Sequence, residues 1–556
     1  MKNSFELKYN AGGRAAGISG EFSRNETSFS DGTVALTLFD EGSEHKVSLR
    51  AFSDVTLVSY TESGHDFWSR DDSAETSKEG DLFFLNGYQS WTDTKETYLG
   101  EKERDVRKLP RFVLDMFALD RYGDCLFYKY DKNKLHGYDV FYRKGRTNGF
   151  VLNANAKTAY LIFEVDRTDG CVSLLSEVSG LTLKTGQNAT ICDYFYTPTK
   201  ETGVKLMNEV IPVKERKKIF GYTSWYNYYQ NINKNIILRD LDALDHRFNL
   251  FQIDDGYQTF VGDWLDVNPE KFPNGLRYIV DRIHAKGLMA GIWLAPLVAE
   301  QNSRLYKEHN DWLKKGPDGL PVKCGGNWSG FYAIDLENEE ARNYIAGCLR
   351  HYAHMGFDFF KLDFLYASSL PAYDGKTRAQ SADFAYSFIR EVLGDRLILG
   401  CGASLFSSHE KFDYLRVGPD VSLEFDDKFY MRIMHRERVS TKITLQNTVY
   451  RSILNGRLFG NDPDVFLLRD TNISLSESQR KSLITLNALF GSVLMTSDNI
   501  AEYDDAKKKT LADALKLYRY ARVQSYTREG DSIRIVYEMK GETREITYNT
   551  KKGVIS

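Results

Sequence analysis

From Ile219 to Met495 the chain alternates short apolar runs with stretches of helical spacing, and no other feature limits its fold so tightly. Ile219 to Trp225 is the first run, after which Ile237, Leu241, Leu244 and Phe248 recur at helical intervals. Phe251-Gln252-Ile253 reads as a second strand. Leu276, Ile279, Val280 and Ile283 then predict a helix that Gly287 ends. Met289 to Leu294 is a third strand. Ala341, Tyr344, Ile345, Cys348, Leu349 and Tyr352 predict a helix stopped by Gly356. Phe357 to Leu362, Leu397 to Leu399, Tyr414 to Val417, Leu458-Phe459 and Val493 to Met495 supply strands four to eight. Eight strand–helix alternations over about 300 residues predict a parallel (β/α)8 barrel, the TIM barrel.

The flanks follow a different rhythm. In the first 200 residues Val34, Leu36 and Leu38, then Val55 and Leu57, then Leu161 and Phe163, alternate with polar or small neighbours. Asp31-Gly32, Asn86-Gly87 and Asp169-Gly170 punctuate them. Strands without intervening helices predict a β-sandwich. After the barrel, Ile533, Ile535 and Tyr537, a Lys540-Gly541 turn, and Ile546 and Tyr548 predict a hairpin that packs on the barrel. The expected division is a multidomain chain: an N-terminal β-sandwich over 1–205, a (β/α)8 barrel over 215–520 and a small C-terminal β element over 521–556.

Composition narrows the function classes. Lys plus Arg is 73 and Asp plus Glu is 77, a net charge of −4, so no chain-wide basic surface for nucleic acid exists. The apolar fraction of 42% supports real cores. The 34 Tyr and 34 Phe suit sugar stacking, but β-rich cores use such rings too. None of the six cysteines has CxxC spacing, which argues against a zinc ribbon, and they are too sparse for a disulfide scaffold. The opening Met1 to Lys8 lacks the apolar core of a signal peptide, and no apolar run is long enough to span a membrane. The most apolar stretch, Ile484 to Met495, reads as core. A reducing cytoplasm is the expected location.

In such a barrel, chemistry sits at the carboxyl ends of the strands. Those ends carry Trp225-Tyr226, Asp254-Asp255, Trp293, Lys361-Leu362-Asp363, Gly400-Cys401-Gly402, Arg416 to Asp420, Asn461 to Asp464, and Ser497-Asp498. Helix capping accounts for any single Asp at such a place. It accounts poorly for Asp363, which follows Lys361 by two residues inside an apolar strand and so shares its face. A cation there is expected to lower the carboxyl pKa, as a nucleophile requires; the alternative is a buried ion pair without chemistry. Gly418-Pro419 leaves Asp420 in a loop short of side-chain donors, where a carboxyl could keep a proton. Two acids facing each other across a pocket are what glycoside hydrolysis needs. Asp254 and Asp255 are adjacent, and the turn at the strand end can aim both at sugar hydroxyls. Trp225 and Trp293 offer flat walls for a pyranose.

Taken together, Ser224-Trp225-Tyr226, Phe251 to Tyr257, Gly262-Asp263-Trp264, Gly291-Ile292-Trp293 with Ala295-Pro296, Lys361 to Leu365, Gly400-Cys401-Gly402, Arg416 to Asp420 and Asn461 to Asp464 resemble glycoside hydrolase family 36, in that family's order. Upstream, Asn86 to Trp91 resembles the loop that the family's sandwich sends toward the active site. The resemblance implies a retaining α-galactosidase that needs no cofactor or metal. It makes Asp363 the nucleophile and Asp420 the acid/base. It places Asp254 and Asp255 on the 4- and 6-hydroxyls with Lys361 nearby, Trp91, Trp225 and Trp293 as walls, and Cys401 and Arg416 near the 2-hydroxyl. The expected partner is a small oligosaccharide, with no nucleic acid or membrane; the resemblance leaves a homo-oligomer open, and the chain is short for a family whose larger members often form tetramers, which weakens that expectation. Gly221 to Ser224 departs from the Trp and Cys that many relatives carry there.

Rivals within that family are an α-galactosyl transferase and an α-N-acetylgalactosaminidase. A metal hydrolase has no HxH or HExxH among the ten histidines to support it, and His351 and His354 sit on a helix upstream of the strand-four mouth. Gly402-Ala403-Ser404 begins like a nucleophile elbow, but Phe406 stands where its second Gly belongs. No GxxxxGK occurs for a nucleotide. A non-catalytic sugar-binding protein would have no need of Asp363 and Asp420 together.

Overall fold

The computed structural model of the chain describes residues 3–22, 27–64, 80–101, 109–145, 148–370 and 375–556. Met1 and Lys2, which open the stretch read for a leader, lie outside the described residues.

The N-terminal region is two antiparallel sheets. One runs in the order Arg14–Phe22, Asn3–Ala11, Val55–Gly64, Val172–Ser176, Leu161–Asp166 and Lys134–Tyr138. The other begins with Thr27–Ser30, Val34–Glu41, Glu44–Ala51 and Asn188–Thr197, and ends with Leu82–Leu85 and Lys95–Tyr98. The alternation seen in sequence is the burial pattern: Val34, Leu36 and Leu38 are buried while their neighbours are not. Leu7, Leu57 and Phe163 of the first sheet meet Leu36, Leu49 and Val151 of the second in one core, the β-sandwich expected.

The barrel strands are Ile219–Thr223, Leu250–Ile253, Met289–Leu294, Phe359–Leu362, Leu397–Gly400, Tyr414–Arg416, Gly460–Asp462 with Val465–Phe466, and Val493–Thr496. All pair in parallel. The seventh was expected at Leu458-Phe459; it starts at Gly460 and is broken at Pro463-Asp464. Gly460–Asp462 pairs with the sixth strand and Val465–Phe466 with the eighth, so the ring closes through two half-strands. Pro463 has no N–H for a ladder, and Asp464 takes φ 72°, which turns the chain between them. Every residue of the strands Leu250–Ile253 and Phe359–Leu362 is buried.

One of the expected crossovers differs. Between strands five and six there is no α-helix, only the 3₁₀ turn Phe406–Ser408. The sandwich occupies that side: Tyr160 donates to Ser404 Oγ at 2.9 Å and lies 3.1 Å from Ser407 Oγ, and the Ser90 amide donates to the Ala403 carbonyl at 2.9 Å. The helix expected from Ala341 to Tyr352 is Glu339–Met355, capped by Asn338 and ended by Gly356 at φ 106°. The stretch Ile484 to Met495 is the buried end of helix Glu477–Phe490 and the eighth strand.

The C-terminal hairpin belongs to a larger unit than expected. Ser532–Met539 and Glu542–Asn549 do form it, but Ala521–Glu529 and Val554–Ile555 extend it to four antiparallel strands. Ile533, Ile535 and Tyr548 are buried in the barrel's own core, which is how so small a sheet is held. All six cysteines are free. Among the described residues no helix is long and apolar enough to cross a membrane.

Candidate active site

The carboxyl ends of the strands form one layer of polar groups, and register decides which of them meet. Trp293 is paired with Lys361, Lys361 with Leu399, and Arg416 with Asp462. Asp363 follows the fourth strand, and its amide donates to the Leu294 carbonyl at 2.9 Å. Its two carboxylate oxygens are separately held. The Trp293 indole N–H donates to Oδ2 at 3.0 Å, and the Phe364 amide donates to Oδ1 at 2.8 Å. Phe364 sits at φ 55°, a left-handed conformation that a bulky residue seldom adopts.

Lys361 does lower the Asp363 pKa, as expected, but burial outweighs it and the carboxyl ends above its ordinary value. Burial raises it, and Lys361, the indole and the Cys401 thiol oppose that rise without overcoming it; the charge of Asp420 adds to it. Lys361 is hydrogen-bonded elsewhere. Its ammonium donates to Asp254 Oδ2 at 2.8 Å, in a pair whose side chains are 5% and 2% exposed. Burial disfavours the ammonium, but Asp254 and then Asp363 more than restore it, so the lysine pKa ends above its ordinary value.

Asp254 and Asp255 are both buried and differently held. Asp254 Oδ2 also accepts from Thr223 Oγ1 at 3.2 Å and Gln252 Nε2 at 3.0 Å. Asp255 accepts from Gln258 at 2.5 Å, Gln230 at 2.9 Å and the Trp328 indole N–H at 3.0 Å. Burial raises the Asp255 pKa against these three donors, with Asp254 adding to the rise. The turn therefore does bring both acids to one strand end, each fixed by its own donors.

Asp420 is not short of donors, as its loop had suggested. Arg416 Nη1 donates to its Oδ1 at 2.9 Å, while 35% of its side chain stays exposed. The same guanidinium donates through Nε to Asp462 Oδ2 at 3.0 Å, and its Nη2 lies 2.9 Å from Asp464 Oδ1. Arg416 is thus a hub for three carboxylates. Burial works against its charge, but Asp464 and Asp462 outweigh burial and hold its pKa well above the usual value.

Trp91 reaches this layer from the sandwich. Its indole N–H donates to Cys401 Sγ at 3.3 Å, and its ring meets Phe364 and Tyr366 edge-on at 5.4 and 5.6 Å. Gly402, at φ 61°, allows the approach: a Cβ there would lie 2.9 Å from the indole. Burial, then the charge of Asp363, raises the Cys401 thiol well above its ordinary pKa. The loop that carries Trp91 is clamped by Arg451, which is 0% exposed. Its guanidinium donates to the carbonyls of Ser90 at 2.5 Å, Gln89 at 3.0 Å, Thr92 at 3.0 Å and Val417 at 2.8 Å.

Of the sequence-predicted residues, Trp225 stands half-buried on the one-turn helix Trp225–Tyr228, edge-on to Tyr229 at 5.1 Å. Trp264 is core, 5.8 Å from the Trp293 ring, and Asp263 accepts from the amides of Arg304 and Leu305 at 2.8 and 3.1 Å. Asp498 turns away to Arg469 at 2.9 Å and two backbone amides, the capping-like role that Asp at a strand end can have. His351 and His354 are exposed on their helix. Trp328 and Arg451 escaped sequence reasoning. Trp328 lies in the loop between the short strands Lys323–Gly325 and Phe331–Ala333, outside the barrel sheet, and the only hint was a tryptophan among glycines. Tyr226, whose hydroxyl donates to Asp464 Oδ2, was visible only as part of a block.

A family model described as melibiase matches residues 212–393. An α-galactosidase of Lactobacillus acidophilus, Mel36A, is 30% identical over 164 residues, 27% of this chain and 22% of that protein. The A type blood α-D-galactosamine galactosaminidase of Flavonifractor plautii is 31% identical over 191 residues, 30% of this chain and 18% of that protein. The aligned stretches thus span 22% and 18% of these curated relatives' length. The solved structure of an α-galactosidase from Thermus thermophilus, in complex with p-nitrophenyl α-D-galactopyranoside, superimposes with a TM-score of 0.69 at 25% identity, covering 93% of this chain and 98% of that one.

Proposed function

We propose that this chain, which belongs to glycoside hydrolase family 36, is a retaining exo-α-galactosidase that removes terminal α-D-galactosyl residues from oligosaccharides by double displacement. The observation that carries this reading is the pair Asp363 and Asp420. One carboxylate is pinned by Trp293 and Phe364; the other is part-exposed and held by Arg416.

In the first step Asp363 attacks the anomeric carbon as the bond to the leaving oxygen breaks, and Asp420 gives that oxygen its proton. The product is a β-galactosyl ester of Asp363. In the second step Asp420 takes a proton from water, which attacks the same carbon and releases galactose with its α configuration restored. The two hydrogen bonds on Asp363 fix its position in the free enzyme, so little reorganisation is needed on attack. The burial that raises its pKa also makes it the stronger nucleophile.

Substrate recognition in this reading falls to Asp254 and Asp255 on the 4- and 6-hydroxyls, with Lys361 fixing Asp254. Trp91, Trp225 and Trp293 wall the sugar, and Cys401 and Arg416 face its 2-hydroxyl. The chain works on small oligosaccharides, without nucleic acid, membrane or cofactor, in the cytoplasm. Its units are 1–205, 215–520 and 521–556.

The test is a panel of nitrophenyl glycosides. Turnover of the α-galactoside with retention of configuration supports the reading. Turnover of the α-glucoside instead, or of the α-N-acetylgalactosaminide alone, overturns the substrate. Loss of activity in EDTA that zinc restores overturns the mechanism.

A further inference from the structure

Asp420, read as the proton donor, has the Arg416 guanidinium 2.9 Å away. The structure shows what competes for that cation. We propose that Asp464 is a positioning residue for Asp420, acting through the Arg416 guanidinium they share and through the Val421 amide that follows Asp420 in the chain. The proposal rests on the reading of Asp420 as the proton donor.

Three observations carry it. Asp464 is bonded on both sides of the donor: Oδ1 lies 2.9 Å from Arg416 Nη2, and Oδ2 accepts from the Val421 amide at 2.8 Å. It is buried, 1% exposed, so it is not placed to reach a substrate itself. And it is held at φ 72° by the break in the seventh strand, an unusual backbone that its amide stabilises by donating to Asp462 Oδ1 at 2.9 Å. A regular strand would leave Asp464 on the ladder; the break is what brings its carboxylate onto the Asp420 loop.

The charged and titratable groups that face Asp464 are Arg416 and Asp420 from the sixth strand and its loop, Asp462 from its own strand, and Tyr226 from the segment after the first strand. Burial raises the Asp464 pKa to about 7; Arg416 opposes that, while Asp420 and Asp462 add to it. Oδ2 already accepts from Tyr226 and Val421, so a proton on Asp464 has Oδ1 to occupy. There it faces Nη2, whose present contact is close but off the line of a hydrogen bond. Protonated Asp464 therefore releases that edge of Arg416, and the cation acts more fully on Asp420. Ionised Asp464 draws the guanidinium back and adds a negative charge beside Asp420.

The sign of the test follows. Asp464→Asn is neutral at every pH and leaves Arg416 to turn more fully onto Asp420. The alkaline limb of kcat/KM for raffinose should move down by about one pH unit, the size of a single nearby charge. Nitrophenyl galactoside, whose leaving group needs no proton, should show a much smaller change. Tyr226→Phe removes a hydrogen bond that favours ionised Asp464 and should move the limb in the same direction by less. It serves as the measurement if Asp464→Asn does not fold. An unmoved limb in Tyr226→Phe, and in Asp464→Asn where it folds, overturns the proposal. Asp420→Ala separates this from failure of the underlying reading: equal losses on raffinose and on nitrophenyl galactoside remove Asp420 as donor, whereas unequal losses with an unmoved limb remove only the role of Asp464.

Discussion

The indole N–H of Trp293 points at Asp363 Oδ2 from 3.0 Å, while its ring packs against Trp264 and Trp328. An aromatic wall is therefore also a donor to the candidate nucleophile. Trp328 does the same for Asp255 and Trp91 for Cys401. In this site three indole N–H groups each donate to a side chain of the polar layer.

Trp293→Phe keeps a ring and removes the N–H. A hydrogen bond to a charged group is worth about 1.5–3 kcal/mol, so kcat/KM should fall by about 10- to 150-fold. The N–H favours ionised Asp363; without it the carboxyl pKa, already raised by burial, rises further. The acid limb of the pH–rate profile should accordingly move to higher pH. A loss of rate with the acid limb in place would mean that Trp293 only shapes the pocket.

Asp363→Ala should nearly abolish turnover, and azide should restore part of it by attacking the anomeric carbon in the space the carboxylate leaves. The product should be the β-galactosyl azide, identified by nuclear magnetic resonance. An α-azide, or full activity in the variant, would contradict nucleophilic attack by this residue.

Lys361→Met leaves Asp254 buried with its charge unpaired. Breaking one side of a buried ion pair costs about 3–5 kcal/mol, so the urea midpoint should fall substantially and KM for galactosides should rise. An unchanged midpoint would show that the pair is solvated in solution. This pair also marks a limit of sequence reading. That Lys361 and Asp363 share a face followed from the period of a strand. That the ammonium pairs with an acid 107 positions away did not, because Asp254 follows the second strand and the two side chains meet across the third.

The same limit applies to Arg416. Its partners stand 4 and 46 positions away for Asp420 and Asp462, and no local pattern joins them. The strand–helix rhythm and the acids at strand ends were legible because both are set by local periodicity and by where a parallel strand must stop. The missing fifth helix was not, since the sandwich takes its place through Tyr160 and Ser90, residues some 240 to 310 positions upstream.

Arg451→Met should free the loop that carries Trp91. Its guanidinium donates to the carbonyls of Gln89, Ser90, Thr92 and Val417; Gln89 also accepts from the Thr92 amide and Thr92 from Asn447 Nδ2. Trp91 should become more accessible to a fluorescence quencher, and KM should rise more than kcat falls, because the wall and not the acid pair is disturbed. Arg451→Lys, with fewer donors, should sit between the two. Unaltered quenching with unaltered KM would show that the loop is held by Asn447 and its other contacts alone.

The last prediction separates Asp420 from every other acid of the site. Nitrophenol leaves without a proton; a sugar alcohol does not. Asp420→Ala should therefore lose far more rate on raffinose than on nitrophenyl galactoside. On the activated substrate the galactosyl-enzyme should accumulate, because water now lacks its base, giving a burst and a low apparent KM. The alkaline limb should disappear as well, since it reports the proton that Asp420 holds. Asp462 and Asp464 are the other acids on Arg416, but each is 1% exposed and already committed to that guanidinium. Neither can reach a leaving oxygen without breaking the hub, so neither should take over. Equal losses on both substrates with both limbs intact would reduce Asp420 to a turn residue after Gly418-Pro419, and would require one of those buried acids to move into the pocket when substrate binds.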